Sequence, residues 1–138
     1  MSSSFRFGHA TGKDWQEAAR LCLAQLGGPP ASLGFLYLTD LLADHLDDIV
    51  EFFRQRTGVP HWVGTVGIGI CATGREYVDE PALAVMLGEF APGSFQVFSG
   101  IKSNNDLGLM RLKCGERKAN FAIVHADPQN SEVPELIT

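Results

Sequence analysis

Long apolar runs are missing from this sequence. No stretch approaches the roughly 20 consecutive apolar residues that a membrane-spanning helix requires, and Met1–Phe7 carries no apolar core of a secretory leader. Positive charge is scarce as well. The 11 Lys and Arg stand against 16 Asp and Glu, for a formal net charge of -5, which argues against a broad phosphate-binding surface and so against a nucleic-acid partner. The one basic cluster, Arg111, Lys113, Arg117 and Lys118, is interrupted by Glu116 and reads as a solvated turn. Cysteine is limited to Cys22, Cys71 and Cys114, far apart and without a CxxC pair, so no zinc knuckle is expected. An odd cysteine count with no leader fits a reducing compartment, and a soluble, cytoplasmic protein is the expectation. There is no internal repeat, no low-complexity tract and no GK[ST] phosphate loop.

What is present is a chain with 45% hydrophobic residues spread along its length, enough for one compact domain over residues 1–138. Phe5 and Phe7 alternate with polar neighbours, as in a strand. Thr11-Gly-Lys-Asp14 reads as a capping box with Thr11 as the cap. It opens an amphipathic helix over residues 13–26, on which Trp15, Ala18, Ala19, Cys22, Leu23 and Leu26 share a face. Gly27-Gly-Pro-Pro30 stops it. Leu33–Leu38 reads as a buried strand, ended by Thr39 and Asp40. A second helix follows, with Leu42, Leu46, Ile49, Val50 and Phe53 on one face. Its early acids Asp44, Asp47 and Asp48 and its late Arg54 and Arg56 suit the helix dipole, and Gly58 and Pro60 terminate it.

His61-Trp-Val-Gly64 begins another strand, which runs into Gly64-Thr-Val-Gly67-Ile-Gly69-Ile-Cys71. Ala82–Leu87 is apolar on both faces, as a central strand would be. Phe95–Phe98 reads as a strand and residues 99–118 as a loop with a short helix or strand. Phe121–Val124 reads as a buried strand, and Val133, Leu136 and Ile137 as a first helical turn. Residues 119–138 therefore look like the start of a further strand-helix unit, and the natural protein is expected to continue past Thr138. The fold class expected is α/β, a mixed β-sheet flanked by helices.

Several blocks carry a family resemblance: Phe35–Leu38, the helix to Arg56, Trp62-Val-Gly64-Thr-Val-Gly67-Ile-Gly69, Ala82–Leu87, and Phe121–Pro128. In this order they resemble the N-terminal FIST domain. That family's glycine-rich stretch usually resembles VGCSTAGEI. Gly64 and Gly69 match its two glycines, whereas Thr65, Val66 and Gly67 replace its small polar positions and Ile70 its acidic one. The resemblance implies a sensory domain for small ligands, such as amino acids, in signal transduction. It also implies haem as a cofactor in some relatives, and a C-terminal domain or downstream signalling protein as the partner.

The residues themselves nominate a site. Glycines allow backbone amides to approach a ligand closely, so Gly64, Thr65, Gly67 and Gly69 are candidate ligand contacts. Close strand packing is the competing reading of the same glycines. Gly67-Ile-Gly69-Ile-Cys-Ala72 fits a loose dinucleotide fingerprint, but Thr73-Gly74 interrupts the place of the required helix. Cys71 follows the turn, either as a ligand contact or as the nucleophile of a hydrolase or transferase with His61 or His125 as base. His125 and Asp127, two apart at a strand end, would point the same way and bind an ammonium group; Asp127 before Pro128 also suits a turn. His9, His45 and His61 read as solvated or satisfied, the sequence does not choose an axial ligand for haem, and no metal set is evident. The acids Asp44, Asp47, Asp48 and Glu51 read as a solvated helix face. A homodimer through open sheet edges is a further expectation.

Overall fold

The computed structural model describes residues 5–115 and 119–136. Ile137 of the expected final turn, and Arg117 and Lys118 of the basic cluster, lie outside the described residues. The chain forms two compact units, one ending at Phe95 and one beginning at Gln96.

The first unit is an α/β layer. Its strands β1 (Arg6–Thr11), β2 (Leu33–Thr39), β3 (His61–Gly67) and β6 (Ala82–Gly88) make one sheet in the order β1-β6-β2-β3. β2 and β3 are parallel, with Leu33 opposite His61 and Thr39 opposite Gly67. β6 is antiparallel to both β1 and β2. The sheet is therefore mixed, as expected. Between β2 and β3 run a 3-10 helix (Asp40–His45) and α2 (Leu46–Thr57), the helical crossover that a parallel pair needs. β4 (Gly69–Ala72) and β5 (Arg75–Val78) form a separate antiparallel hairpin.

Helix α1 (Trp15–Leu23) is shorter than the periodicity predicts, and its cap is not Thr11. Asp14 caps it by accepting from Glu17 N at 2.8 Å, and Glu17 in turn accepts from Lys13 N at 2.8 Å. Thr11 belongs to β1 instead, where its hydroxyl donates to the Pro81 carbonyl at 2.7 Å. The sheet claims Thr11 because a ladder position and a long-range acceptor satisfy it better than a helix end would. Helix α2 stops at Gly58, whose φ of 71° is the left-handed turn that glycine favours. Ala18, Ala19 and Cys22 of α1, Ile49 and Phe53 of α2, and Leu36, Leu38, Leu83, Val85 and Leu87 of the sheet share one core. The helices cover one face of β6, at Leu83, Val85 and Leu87, and Ile70 and Tyr77 of the hairpin pack on the other, at Ala82 and Ala84, and this is why Ala82–Leu87 is apolar on both faces.

The second unit contains α3 (Asn104–Cys114) and α4 (Val133–Leu136). Within the ambiguous stretch 99–118, Asn104–Cys114 is a helix, and residues 116–118 lie outside the described residues. The Asp106 carboxylate reaches back to Ser103 N at 3.0 Å, and the amide of Lys102 holds its carboxyl below the usual range. Two expected strands are not strands. Phe95–Phe98 is irregular. Phe121–Val124 is also irregular, and Phe121, Ile123 and Val124 are exposed. An apolar run becomes a strand only where a neighbouring ladder receives it, and the described residues offer this one none.

Candidate functional site

The parallel pair ends together. At the carboxyl end of β2, Thr39 passes into the 3-10 helix, and beside it Gly67 of β3 turns through Ile68 into β4. In open α/β sheets such ends are where ligands commonly sit. The glycine-rich stretch is therefore placed at this end of the sheet, but its glycines have packing reasons of their own. Gly64 has φ 156°, and a Cβ there would stand 1.7 Å from the Leu36 carbonyl oxygen. At Gly67 a Cβ would stand 2.9 Å from the Gly69 carbonyl oxygen, and at Gly69 3.0 Å from that of Tyr77. Each glycine lets two backbones approach.

The side chains around the turn divide by face. Thr65 is exposed and lies opposite Tyr37 in the register. Tyr37 is half-buried, and burial pushes its phenol up. Cys71 is exposed and lies opposite Glu76, while its neighbour Ile70 is buried towards the sheet. Alternation along β4 therefore turns Cys71 away from the sheet that carries Thr65. The hairpin is fastened by Tyr77, which packs with Ile70 and Ala82 against Tyr37, Ala72 and Ala84. The Tyr77 hydroxyl lies 2.5 Å from His9 Nδ1, and the Arg75 guanidinium stands 4.4 Å over the Tyr77 ring. Arg75 also pairs with Glu80 at 3.2 Å. The buried Thr39 hydroxyl donates to Glu80 O at 2.8 Å and accepts from Ala82 N at 3.0 Å.

Sequence reasoning missed Tyr37, Thr39 and Tyr77, and it read His9 as solvated or satisfied without naming Tyr77 as the partner that satisfies it. The aromatic ring in Arg75-Glu-Tyr77 was the available signal. Its partner is 68 residues away, so no local pattern exposes it. His61 sits at the start of β3, six residues from Gly67 and roughly 20 Å away at strand rise. There it lies beside Phe95 at 5.6 Å, so it is not a base for Cys71. His125 and Asp127 belong to the second unit. They lie in irregular chain, where the Asp127 carboxylate accepts from Gln129 N at 2.9 Å, as in an Asx turn. Asp44, Asp47, Asp48 and Glu51 are exposed, and Glu51 pairs with Arg54. Among the described residues no three His, Cys, Asp or Glu are grouped to hold a metal.

For haem the fit is poor. A cavity of about 110 Å³ in the second unit is lined by Phe98, Ile101, Asp106, Leu109, Met110 and Lys113 among others, with no histidine. Ligand pockets are typically some 300–1,000 Å³. His9 is engaged by Tyr77, and His45 and His61 lie against the rings of Trp15 and Phe95.

The two described thiols differ. Cys22 is buried, donates to Gly8 O at 3.0 Å, and burial pushes it from 9.0 up to about 12. Iodoacetamide near pH 8 is expected to modify Cys71 in the folded protein and to reach Cys22 only after denaturation; peptide mapping by mass spectrometry reads this directly. The linkage has a sign. The folded state keeps Cys22 neutral where the unfolded chain ionises. Its contribution is therefore complete below pH 9 and is lost as pH rises from 9 towards 12. Urea midpoints are expected to fall over that window, and less steeply in Cys22→Ala.

A model of the FIST N domain family matches residues 32–138, more than half of the chain. No curated protein matches the chain. The match begins at Ser32, just before β2, so β1 and α1 precede it although both contribute to the same core. Among the described residues no helix is long and apolar enough to cross a membrane.

Proposed function

Because the chain belongs to the FIST N domain family, a family of small-ligand-binding sensory domains in signalling, we propose that it is a sensory module that binds a small polar molecule, such as an amino acid, at the Gly64–Cys71 stretch. The observation that supports this location is the shared carboxyl end of β2 and β3, where Thr39 lies opposite Gly67. Gly64, Gly67 and Gly69 shape the turn, and Thr65 offers its hydroxyl. Cys71 lines the outer side of the hairpin. Occupancy is passed to a C-terminal domain or a downstream signalling protein in the cytoplasm, and the reading requires no chemistry at Cys71.

The test is a thermal-shift screen of the chain against amino acids and small carboxylates. A ligand at about a hundred times its Kd adds roughly 2.7 kcal/mol, several degrees for a domain of this size. The shift should be lost in Thr65→Ala and kept in Cys71→Ala, whose side chain faces away from Thr65. The glycines are left intact in this test because added side chains there strike backbone. A panel that shifts nothing, or a shift indifferent to Thr65→Ala, overturns the reading.

A further inference from the structure

At the other end of the same sheet, two guanidinium nitrogens of one arginine have no partner among the described residues. Arg6 opens β1, in the row that runs through Leu87 and Gly34 to Trp62, far from Gly67. Arg6 is half-buried, and its Nε and Nη1 are shielded from solvent and make no hydrogen bond with the described residues. The ion pairs formed by the described residues are Glu51–Arg54 and Arg75–Glu80, so no carboxylate of theirs answers Arg6. A guanidinium does not shed its charge in a protein, and a buried charge left uncompensated is strongly destabilising. Buried donors without partners call for a group that supplies acceptors.

The cover over this cation is unusual in composition. A Cβ at Gly28 would stand 2.7 Å from Arg6 Cδ, 3.1 Å from Nη1 and 3.2 Å from Nε. The backbone at Gly28 therefore lies directly on the guanidinium. All four residues of the loop Gly27-Gly-Pro-Pro30 are exposed, and Gly28 has φ 136°. On either side the chain is pinned, by Leu26 N to Leu23 O at 3.0 Å and by Ser32 N to Gly88 O at 3.0 Å. Between these pins, residues 27–31 make no backbone hydrogen bond with the described residues. Lifting residues 27–30, with Ala31 kept against the core, would break none of the hydrogen bonds described and would uncover the donors.

We infer that Arg6 is the anchor of an oxyanion site, covered by the loop 27–31, that takes a carboxylate or phosphate group. The guanidinium offers planar, charge-assisted hydrogen bonds that match either group. The site is separate from the proposed ligand turn, so the two are tested by different variants.

The experiment is the melting temperature of the wild-type chain in sodium phosphate, sodium acetate and sodium chloride at matched ionic strength, repeated for Arg6→Met. Methionine keeps an apolar stem of similar reach and removes the charge. The wild type is expected to melt several degrees higher in phosphate or acetate than in chloride. Arg6→Met should melt no lower than wild type in chloride and should lose the difference between salts. A rise in only one of the two salts supports the site and names its group. Equal melting of the wild type in all three salts overturns the inference. So does a rise that Arg6→Met retains, since that is the general effect of excluded salts. Should Arg6→Met not fold, Arg6→Lys is read instead: a smaller rise than wild type supports the guanidinium anchor, and an equal rise overturns it.

Discussion

Replacing Gly64 by valine is expected to unfold the first unit. The Cβ would be placed 1.7 Å from the Leu36 carbonyl oxygen and 2.7 Å from the Leu36 carbonyl carbon, well inside contact distance. The obstacle is backbone, so no rotamer change relieves it. The φ of 156° adds a conformation that side-chain-bearing residues rarely adopt. Relief requires β3 to move off β2, and the pairs Leu36–Gly64 and Tyr37–Thr65 lie at the middle of that ladder. The expected loss exceeds ~4 kcal/mol, the range reserved for outright structural conflict and a large share of a domain's total stability. Far-UV circular dichroism and urea titration measure it. Gly58→Ala is the matched control. Gly58 also has positive φ, at 71°, but nothing lies within 4 Å of its added Cβ, so its cost should stay near the 1–2 kcal/mol of a left-handed residue. If Gly64→Val and Gly58→Ala cost the same, close strand approach is not why Gly64 is glycine.

Tyr77→Ala is expected to cost about 3–5 kcal/mol, as for other large-to-small changes at buried aromatic positions. Tyr77 is 1% exposed and joins the hairpin to the sheet through Ile70, Ala82 and the His9 ring. The substitution removes the ring that fills this layer, the hydroxyl beside His9 Nδ1, and the aromatic face under Arg75. Tyr77→Phe keeps the ring and loses only the hydroxyl, so it should cost roughly 0.5–1.5 kcal/mol. The contrast has a functional reading. If the Gly67–Gly69 turn binds ligand, Tyr77→Ala should abolish the ligand-dependent thermal shift in whatever fraction remains folded, because β4 is no longer held against Tyr37. Tyr77→Phe should preserve it. A Tyr77→Ala protein as stable as wild type would show that the hairpin contributes little to the first unit.

Much of this was legible in the residues. The spacing of Ala18, Ala19 and Cys22 marked the buried face of α1, and Ile49 and Phe53 marked that of α2, because a helical period aligns them. Apolarity on both faces marked β2 and β6 as inner strands, and both are. Gly58 marked the end of α2 because its left-handed conformation is a local matter. The failures have one origin. Thr11 carries a cap signal, but its best acceptor, Pro81 O, is 70 residues away. Phe121–Val124 carries a strand signal without a receiving ladder.

The candidate site divides in the same manner. That Gly64, Gly67 and Gly69 mark a place where backbones come close is written in the sequence, since only glycine permits it. What comes close was not written there. The register sets Leu36 against Gly64 and the hairpin sets Tyr77 against Gly69. It also places Thr65 and Cys71 on different faces and separates His61 from the turn by the length of a strand. The sequence by itself determined the class of fold, the buried helical faces and the glycine turn, because period, apolarity and backbone freedom are local properties. The pairing of His9 with Tyr77, the isolation of Arg6 and the exposure of Cys71 beside the burial of Cys22 were decided by the tertiary structure alone. Each depends on which distant segment the chain brings alongside, and partners and dielectric environment follow from that placement rather than from the residue's own chemistry.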